Sequence, residues 1–147
     1  MPQVENIYEI IHSNRLFSMA SEESIQLLAE MMLAESYRKG EYIFRQGEVA
    51  NDFYIVASGE VSIISSNTDK VLRNIKPFEG FGEYGMFNAN IRTADAVATE
   101  DVELLSIDYQ RFREFLIHSP EAMFSILSYT VERLTRLEQK SFDTANS

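Results

Sequence analysis

The sequence predicts a mainly β domain of the α+β class, with helices before and after a set of short strands. Six short β-prone runs lie between residues 35 and 107 and are separated by turn-forming residues. All six glycines fall within the same stretch, as expected where the backbone turns repeatedly. Outside it, apolar residues recur every three or four positions, which is typical of amphipathic helices. The chain has 147 residues, 45% of them hydrophobic, and therefore fits a single domain over 1–147 with a core of its own.

Residues 1–34 are predicted to form the N-terminal helices, because helical periodicity runs from about residue 4 to residue 33. Ser21 is a suitable N-cap, and the acidic pair Glu22 and Glu23 behind it favours a helix start. The apolar positions that follow are predicted to pack in the core: Ile25, Leu27, Leu28, Met31 and Met32.

Residues 35–107 are predicted to form the β domain. Its β-prone runs are short and bounded by pairs such as Lys39-Gly40 and Ser58-Gly59. Many short strands at regular turn spacing are typical of a β-sandwich or barrel. The predicted strands are 41–44, 53–57, 61–65, 71–75, 94–98 and 102–107.

Residues 108–138 are predicted to form the C-terminal helices. Asp108 can cap the first of them. The second starts with a cap, a proline at the first helical position and an acid in the first turn, at Ser119, Pro120 and Glu121. An apolar stripe follows at Met123, Leu127, Val131, Leu134 and Leu137. The polar segment 139–147 has no pattern and is predicted to be a flexible tail.

The composition argues against several classes of protein. The formal net charge is −10 and the sequence has no cluster of Lys or Arg, so nucleic acid and anionic membranes are not expected as partners. An anionic small ligand would need a locally positive pocket. With no cysteine, disulfides and thiolate metal sites are excluded. With neither a long apolar run nor a signal peptide, we expect a cytoplasmic protein.

Catalysis is not expected either. The two histidines, His12 and His118, are far apart in sequence, and no nucleophile, general base or metal motif is visible. Residues 80–85, GFGEYG, satisfy the G-x-G-x-x-G pattern, but short strands flank them where a dinucleotide site needs a βαβ unit. We therefore predict no enzyme activity, no metal site and no cofactor.

The segment 81–97 is the candidate binding site. Gly82 lets the backbone come close to a ligand, and exposed N–H groups at a short turn favour an anion. Arg92 offers a guanidinium fork for a phosphate, and Thr93 adds a hydroxyl donor. Glu83 can accept hydrogen bonds from sugar hydroxyls. On residue types alone, however, a single Arg in a loop is usually an ordinary surface charge.

Two stretches resemble a known family. FGEYGMFNANIRTA, residues 81–94, resembles the phosphate-binding cassette of the cyclic nucleotide-binding domain, of the catabolite activator protein type. KGEYIFRQGEVANDFYIVASGEVSI, residues 39–63, resembles the glycine-punctuated strands of the same family. The spaced motifs cover roughly residues 5–138. The resemblance implies an eight-stranded β-roll, a jelly-roll-like barrel, flanked by N-terminal and C-terminal helices.

The resemblance also implies roles for individual residues. Arg92 would pair with the cyclic phosphate, and Glu83 would accept a hydrogen bond from the ribose 2′-hydroxyl. Gly82 and Tyr84 would line the site with backbone groups, and Thr93 would face the phosphate. Both cAMP and cGMP remain open as ligands.

Three residues depart from the family pattern. Ile91 stands where Pro or Glu is frequent, and Gly85 stands where Ala is common. Asp95 occupies a place that usually holds a small hydroxyl or hydrophobic residue. Strand alternation puts Asp95 on the face opposite Arg92. A bulge would undo this, and an Arg92–Asp95 pair would then have to break for a phosphate to bind.

The implied function is that of a non-catalytic cyclic nucleotide sensor, read out through the C-terminal helices to a protein partner. The apolar stripe after Ser119 either packs on the barrel or forms a dimer seam, which makes a homodimer possible. The alternative is an interaction or scaffold domain with a lost or altered ligand, favoured by Ile91 and Asp95. A fragment of a transcription regulator is a distant alternative, since only nine residues follow Glu138, too few for a helix-turn-helix.

Overall fold

The computed structural model describes residues 6–83, 85 and 91–145, with side chains as far as Ser141. The predicted order of helices, strands and helices is confirmed. Helix α1 (Ile7–His12), a short 3₁₀ helix (Arg15–Phe17) and helix α2 (Glu22–Met31) precede the strands. Helices α3 (Tyr109–His118) and α4 (Pro120–Ala145) follow them.

The predicted start of α2 is confirmed, because the Ser21 side chain accepts a hydrogen bond from the backbone N–H of Ser24. The predicted core face is right for Ile25, Leu28 and Met32, which are buried. It is wrong for Leu27, which is 41% exposed. At 3.6 residues per turn Leu27 lies about 160° around the helix from the buried Ile25, and so faces away from the core.

The described residues form eight strands between the helical segments, in agreement with the β-roll that the resemblance implies. They are β1 (Leu33–Tyr37), β2 (Tyr42–Phe44), β3 (Asp52–Ser58), β4 (Val61–Ile64), β5 (Val71–Ile75), β6 (Gly80–Phe81), β7 (Asp95–Ala98) and β8 (Val102–Asp108). Two of these, β1 and β6, were not among the predicted strands. The sequence of β1, LAESY, gives a weak strand signal and begins where helix was predicted, and β6 has only two residues.

The strands form two antiparallel sheets and not one closed barrel. The first has the order β1-β8-β3-β6 and the second the order β2-β7-β4-β5. Neighbours in the chain often lie in different sheets, so the connections between them hold the sandwich together. In particular, β6 brings the start of the candidate segment 81–97 to the first sheet, and β7 takes its end to the second.

The central strand β3 has a core on each of its two faces. Phe53 and Ile55 pack with the helices, whereas Tyr54 and Val56 pack between the sheets. Because successive side chains of a strand point to opposite faces, a continuous apolar run serves both layers. The layer between the sheets also holds Phe81, whose ring stacks on that of Tyr54 with the ring centroids 5.0 Å apart. This stacking anchors Phe81, the first residue of the candidate segment, in the layer between the sheets.

The two C-terminal helices start where the sequence predicts. The Asp108 side chain caps α3 by accepting from the N–H of Arg111 at 2.8 Å, and α4 starts at Pro120. The prediction of a flexible tail over 139–147 is wrong as far as Ala145, because helix α4 continues to that residue. The chain has neither Gly nor Pro after Pro120, so no residue type stops the helix at 138.

The apolar stripe of α4 does not pack on the strands. Its members are between 46% and 58% exposed: Met123, Leu127, Val131, Leu134 and Leu137. The contacts of α4 with the core use Ala122 and Ile126, which lie in its first two turns. The interpretation that the stripe packs against the barrel is therefore wrong.

Candidate functional site

A cavity of about 320 Å³ lies between the second sheet, the segment after β6 and helix α4. Its apolar walls include Phe44, Ile63, Leu72 and Phe81. Its polar groups are Glu83, Thr93 and three arginines, Arg73, Arg92 and Arg133. In a chain of net charge −10, three guanidinium groups around one cavity provide the locally positive pocket that an anionic ligand requires.

Gly82 brings the main chain to the wall of this cavity. Its φ of +91° lies in the left-handed region, which side chains other than glycine rarely adopt. A Cβ atom at this position would lie 3.0 Å from Nη1 of Arg92 and 3.0 Å from the carbonyl oxygen of Asp52. Glycine therefore allows the Arg92 guanidinium to reach the backbone here.

Arg92 is 5% exposed and is held in place from several sides. Its Nη2 donates to the carbonyl oxygen of Asp52 at 2.7 Å, and its Nη1 donates to Gly82 O at 3.3 Å and to the Tyr109 hydroxyl at 3.0 Å. The guanidinium carbon lies 4.0 Å from the ring centroid of Phe44. Arg92 is thus a buried, oriented cation at the cavity wall, and the interpretation of a surface charge is wrong.

Asp95 does not oppose a ligand in this cavity. Its Oδ1 accepts a hydrogen bond from the backbone N–H of Gln46 at 2.7 Å, and the residue is 8% exposed. It is absent from the cavity lining, and no ion pair within 4.0 Å joins it to Arg92 in the described part of the chain. The carboxylate supports the turn before β3, so the possible Arg92–Asp95 pair is not formed.

Glu83 lies at the other side of the cavity and is 7% exposed. Its Oε1 is 3.8 Å from Nη1 of Arg133, which α4 contributes. Its Oε2 is buried and accepts no hydrogen bond from any described residue. Burial raises the pKa of the Glu83 carboxyl, and a backbone hydrogen bond and the charges of Arg73, Arg133 and Arg92 act against this shift. A buried carboxylate oxygen without a donor is well placed to accept one from a ligand.

The structure brings together four of the five predicted site residues. Gly82, Glu83, Arg92 and Thr93 all line the cavity, with Thr93 exposed at its edge. The fifth, Tyr84, lies outside the described residues, and its role stays a prediction. Strand connectivity explains the grouping, because β6 precedes the first two and β7 follows the last two.

Sequence reasoning missed three side chains of the site. Tyr109, the first residue of α3, donates its hydroxyl hydrogen to Gly82 O and accepts from Arg92. Arg73 comes from β5 and Arg133 from α4. Tyr109 continues the apolar helical spacing with Phe112 and therefore reads as a core residue. Arg73 is the one charged residue of β5, and Arg133 is one of several along α4. Neither stands out in the sequence, and only the tertiary fold brings both to the cavity.

The departure at Gly85 has a physical reason. A Cβ atom at Gly85 would lie 2.6 Å from the Cβ of Ala50 and 2.9 Å from the Tyr109 hydroxyl. The alanine that the resemblance leads one to expect would overlap with both. Glycine at position 85 therefore leaves the space that the Tyr109 hydroxyl occupies.

Metal ligands and membrane-spanning segments were considered in the described residues alone. These residues contain no group of three or more His, Cys, Asp or Glu side chains arranged to hold a metal ion. None of their helices has both the length and the apolar character needed to cross a membrane. The cytoplasmic location stays a prediction.

The chain matches a family model described as "Cyclic nucleotide-binding domain" over residues 34–119. It is 28% identical over 141 residues to cGMP-dependent protein kinase 2 of Homo sapiens, which covers 92% of this chain and 18% of the kinase. It is 30% identical over 125 residues to the cAMP-dependent protein kinase regulatory subunit of Yarrowia lipolytica, which covers 83% of this chain and 33% of that subunit. The chain thus spans only a minor part of these two relatives.

Solved structures with the same fold include the catabolite activator protein of Thermus thermophilus. The TM-score is 0.79 with 26% sequence identity, and the match covers 89% of this chain and 63% of that one. The sensor domain of the transcriptional regulator DNR from Pseudomonas aeruginosa matches with a TM-score of 0.75 and 27% identity, over 86% of this chain and 92% of that one.

Proposed function

Because the chain belongs to the cyclic nucleotide-binding domain family, we propose that it is a non-catalytic sensor module for cAMP or cGMP. The ligand is held in the cassette 81–94, and the C-terminal helices pass the binding event to a protein partner. The observation that carries this proposal is the buried Oε2 of Glu83, which has no hydrogen-bond partner among the described residues and lies in the same cavity as the oriented Arg92. The Glu83 side of the cavity can accept a hydrogen bond from a hydroxyl, and the Arg92 side can bind an anion. A cyclic nucleotide carries both groups, a ribose hydroxyl and a cyclic phosphate.

The roles that we propose for the site residues are those that the family resemblance implies. Arg92 binds the cyclic phosphate, helped by the hydroxyl of Thr93, and Glu83 accepts from the ribose 2′-hydroxyl. Backbone groups of Gly82 and Tyr84 complete the cassette. The apolar walls at Phe44, Ile63 and Leu72 suit a purine. The names of the relatives include both cGMP-dependent and cAMP-dependent proteins, so both ligands belong to the proposal.

In this proposal, helix α4 transmits the binding of the ligand, because it contacts the rest of the protein in two places. Its first turns are tied to the N-terminal helices, since Ser24 donates to Glu121 and the backbone N–H of Met19 donates to Ser125 Oγ at 3.1 Å. Its later part places Arg133 at the cavity, close to Glu83. A ligand that bonds to Glu83 changes the surroundings of Arg133, so ligand binding and the position of α4 are linked.

The exposed stripe of α4 is the surface for the partner, and a second copy of this chain is the occupant that its spacing favours. Three residues of the stripe, together with the neighbouring Phe124, are more than half exposed. They follow each other at intervals of three and four residues: Phe124, Leu127, Val131 and Leu134. This is the spacing of a two-stranded coiled coil. Sedimentation equilibrium of the wild type against Leu127→Glu/Leu134→Glu tests the homodimer, which the double variant would dissociate.

Calorimetric titration with cAMP and cGMP tests the ligand. Wild-type protein is expected to bind at least one of them in the micromolar range and to bind 5′-AMP and 5′-GMP far more weakly. Arg92→Ala should weaken binding by at least about 100-fold, because the anion loses a buried bidentate partner. Arg45→Ala is the matched control, since Arg45 stacks on Tyr42 at 3.8 Å and lies outside the cavity lining.

The alternative is an interaction or scaffold domain whose ligand is lost or altered. Asp95 no longer supports it, because its carboxylate is used at the Gln46 turn. The exposed apolar stripe of α4 fits either function. A folded wild type that gives no heat with either cyclic nucleotide would favour the scaffold, as would unchanged binding in Arg92→Ala.

A further inference from the structure

The phenol group of Tyr109 lies on the side of the cavity where Arg92 would bind the phosphate, between the Arg92 guanidinium and the carbonyl oxygen of Gly82. Its hydroxyl donates its single hydrogen to the carbonyl oxygen of Gly82. The same oxygen accepts from Nη1 of Arg92 at 3.0 Å. The residue is only 8% exposed, and its backbone N–H donates to Asn51 O at 2.9 Å, which ties the start of α3 to the segment before β3. The next carbonyl along the chain, that of Asp52, accepts from Nη2 of Arg92.

We propose that Tyr109 is the positioning residue of Arg92, which fixes the guanidinium for phosphate binding and ties it to the start of helix α3. The proposal rests on the proposed function for its ligand, but the contacts that carry it are those of the protein alone. It adds a helix residue to a site whose other polar groups come from the strands, the cassette and α4.

The donor count explains why a third acceptor matters. Arg92 has five N–H donors, and the carbonyls of Gly82 and Asp52 hold only one side of the group. The bond to Gly82 O is long at 3.3 Å, so without the Tyr109 hydroxyl Nη1 would be weakly held. With it, Nη1 and Nη2 are both anchored and the guanidinium plane is fixed. A group that is already oriented loses less freedom when it binds a ligand.

The packing around Gly85 supports the same role. The space that a side chain at Gly85 would take is filled by the Tyr109 hydroxyl at 2.9 Å, and Nη1 of Arg92 follows at 3.5 Å from the same point. The cassette thus leaves room for the phenol oxygen next to the guanidinium. Burial raises the pKa of the Tyr109 hydroxyl, against the effect of Arg92, so that it keeps its hydrogen for Gly82 O at neutral pH.

Tyr109→Phe tests the proposal, since it removes the hydroxyl and leaves the ring. We expect the affinity for whichever of cAMP and cGMP the wild type binds to fall roughly tenfold, the effect of losing one hydrogen bond to a charged group. In an Arg92→Ala background the same change should have no further effect on affinity. Tyr37→Phe is the matched control, because its hydroxyl donates to Glu35 and it lies outside the cavity lining.

A second measurement needs no ligand. The Nε–Hε signal of Arg92 in the NMR spectrum of the protein alone should be sharp and slow to exchange in wild type and in Tyr37→Phe. In Tyr109→Phe it should broaden or exchange with water. Unchanged affinity and an unchanged Arg92 signal in Tyr109→Phe would overturn the proposal, even if the melting temperature fell. If the wild type binds no cyclic nucleotide, the proposed function fails, and the Arg92 signal still decides whether Tyr109 positions the guanidinium.

Discussion

The two sides of the cavity differ in how complete they are without a ligand. On the phosphate side, Arg92 is bonded to two carbonyls and a phenol and lies over an aromatic ring. On the sugar side, Glu83 has one oxygen with no described partner and another 3.8 Å from a side chain of α4. The strands and α3 thus hold the Arg92 guanidinium in place before a ligand binds. The contacts of the Glu83 carboxylate, in contrast, are completed by α4 or by a ligand. We therefore expect the phosphate side to stay rigid when a ligand binds and the sugar side to change.

Arg92→Ala should have the largest effect, because it removes the centre of the complete side. The carbonyls of Gly82 and Asp52 and the hydroxyl of Tyr109 would each lose a donor. We expect the free energy of unfolding to fall by about 3 kcal/mol, in addition to the loss of ligand binding. Urea denaturation monitored by circular dichroism measures it. A fall of less than about 1 kcal/mol would mean that Arg92 is not held as tightly as its contacts indicate.

Gly85→Ala comes second, because it inserts a methyl group into the complete side. The added carbon would meet Ala50 Cβ at 2.6 Å and the Tyr109 hydroxyl at 2.9 Å. Overpacking of this kind costs about 2 kcal/mol of stability, and it should also weaken ligand binding by displacing Tyr109. Thermal denaturation and titration of Gly85→Ala, Ala50→Gly and the double variant measure both effects.

The double variant separates the two contacts of the new methyl group. Ala50→Gly opens space on one side only, so it should restore stability in part and leave the displacement of Tyr109 in place. Full recovery of both stability and affinity would show that Ala50 alone excludes a side chain at position 85. No loss in Gly85→Ala itself would contradict the close packing of the phosphate side.

On each side of this site, the sequence predicted the charged residue of the cassette and missed the helix residue that contacts it. Arg92 and Glu83 could be found because the cassette is contiguous in sequence and each residue type has a chemistry of its own. Tyr109 and Arg133 could not, because they reach the cavity from helices that are distant in sequence and carry ordinary helical patterns. Strand alternation put Asp95 on the face opposite Arg92, but the partner of its carboxylate was out of reach, because only the folded turn presents the backbone N–H of Gln46.

The fold was predictable to a similar extent. The strong β-prone runs and the helix caps at Ser21 and Asp108 were found, since alternation and capping are local signals. Strand β1 was missed because its burial depends on pairing with β8, a contact distant in sequence. The length of α4 was underestimated because a polar helix tail looks like a loop when no proline or glycine ends it.

Glu83→Gln should act in the opposite direction to Arg92→Ala on stability. Burial raises the pKa of the Glu83 carboxyl, so the folded state resists its ionisation. The resulting loss of stability is present when the pH is above the raised pKa, and it disappears as the pH falls toward the ordinary value. At about pH 7 we therefore expect Glu83→Gln to be more stable than wild type by about 1 kcal/mol, and to bind the ligand more weakly because an amide replaces the acceptor.

The pH dependence provides the control for this variant. The stability difference between Glu83→Gln and wild type should shrink as the pH falls from neutral toward the ordinary pKa of a carboxyl, because the wild-type carboxyl then takes up a proton. Glu114→Gln, on the exposed face of α3, should show no such trend. A difference that grows toward low pH would mean that the pKa of Glu83 is lowered and that the sugar side is as complete as the phosphate side.

Arg133→Gln should have the smallest effect, because its 3.8 Å contact with Glu83 is long and its side chain is 25% exposed. We expect ligand affinity to fall roughly threefold, the scale of a partly exposed charge interaction. High salt should remove most of the difference between this variant and wild type, since mobile ions screen such charges. Arg136→Gln is the matched control on the same helix, because Arg136 pairs with Glu132 and is 59% exposed. Equal affinities for wild type and Arg133→Gln at low salt would show that α4 does not sense the sugar side through its charge. The responsive side of the cavity would then consist of Glu83 and the ligand alone.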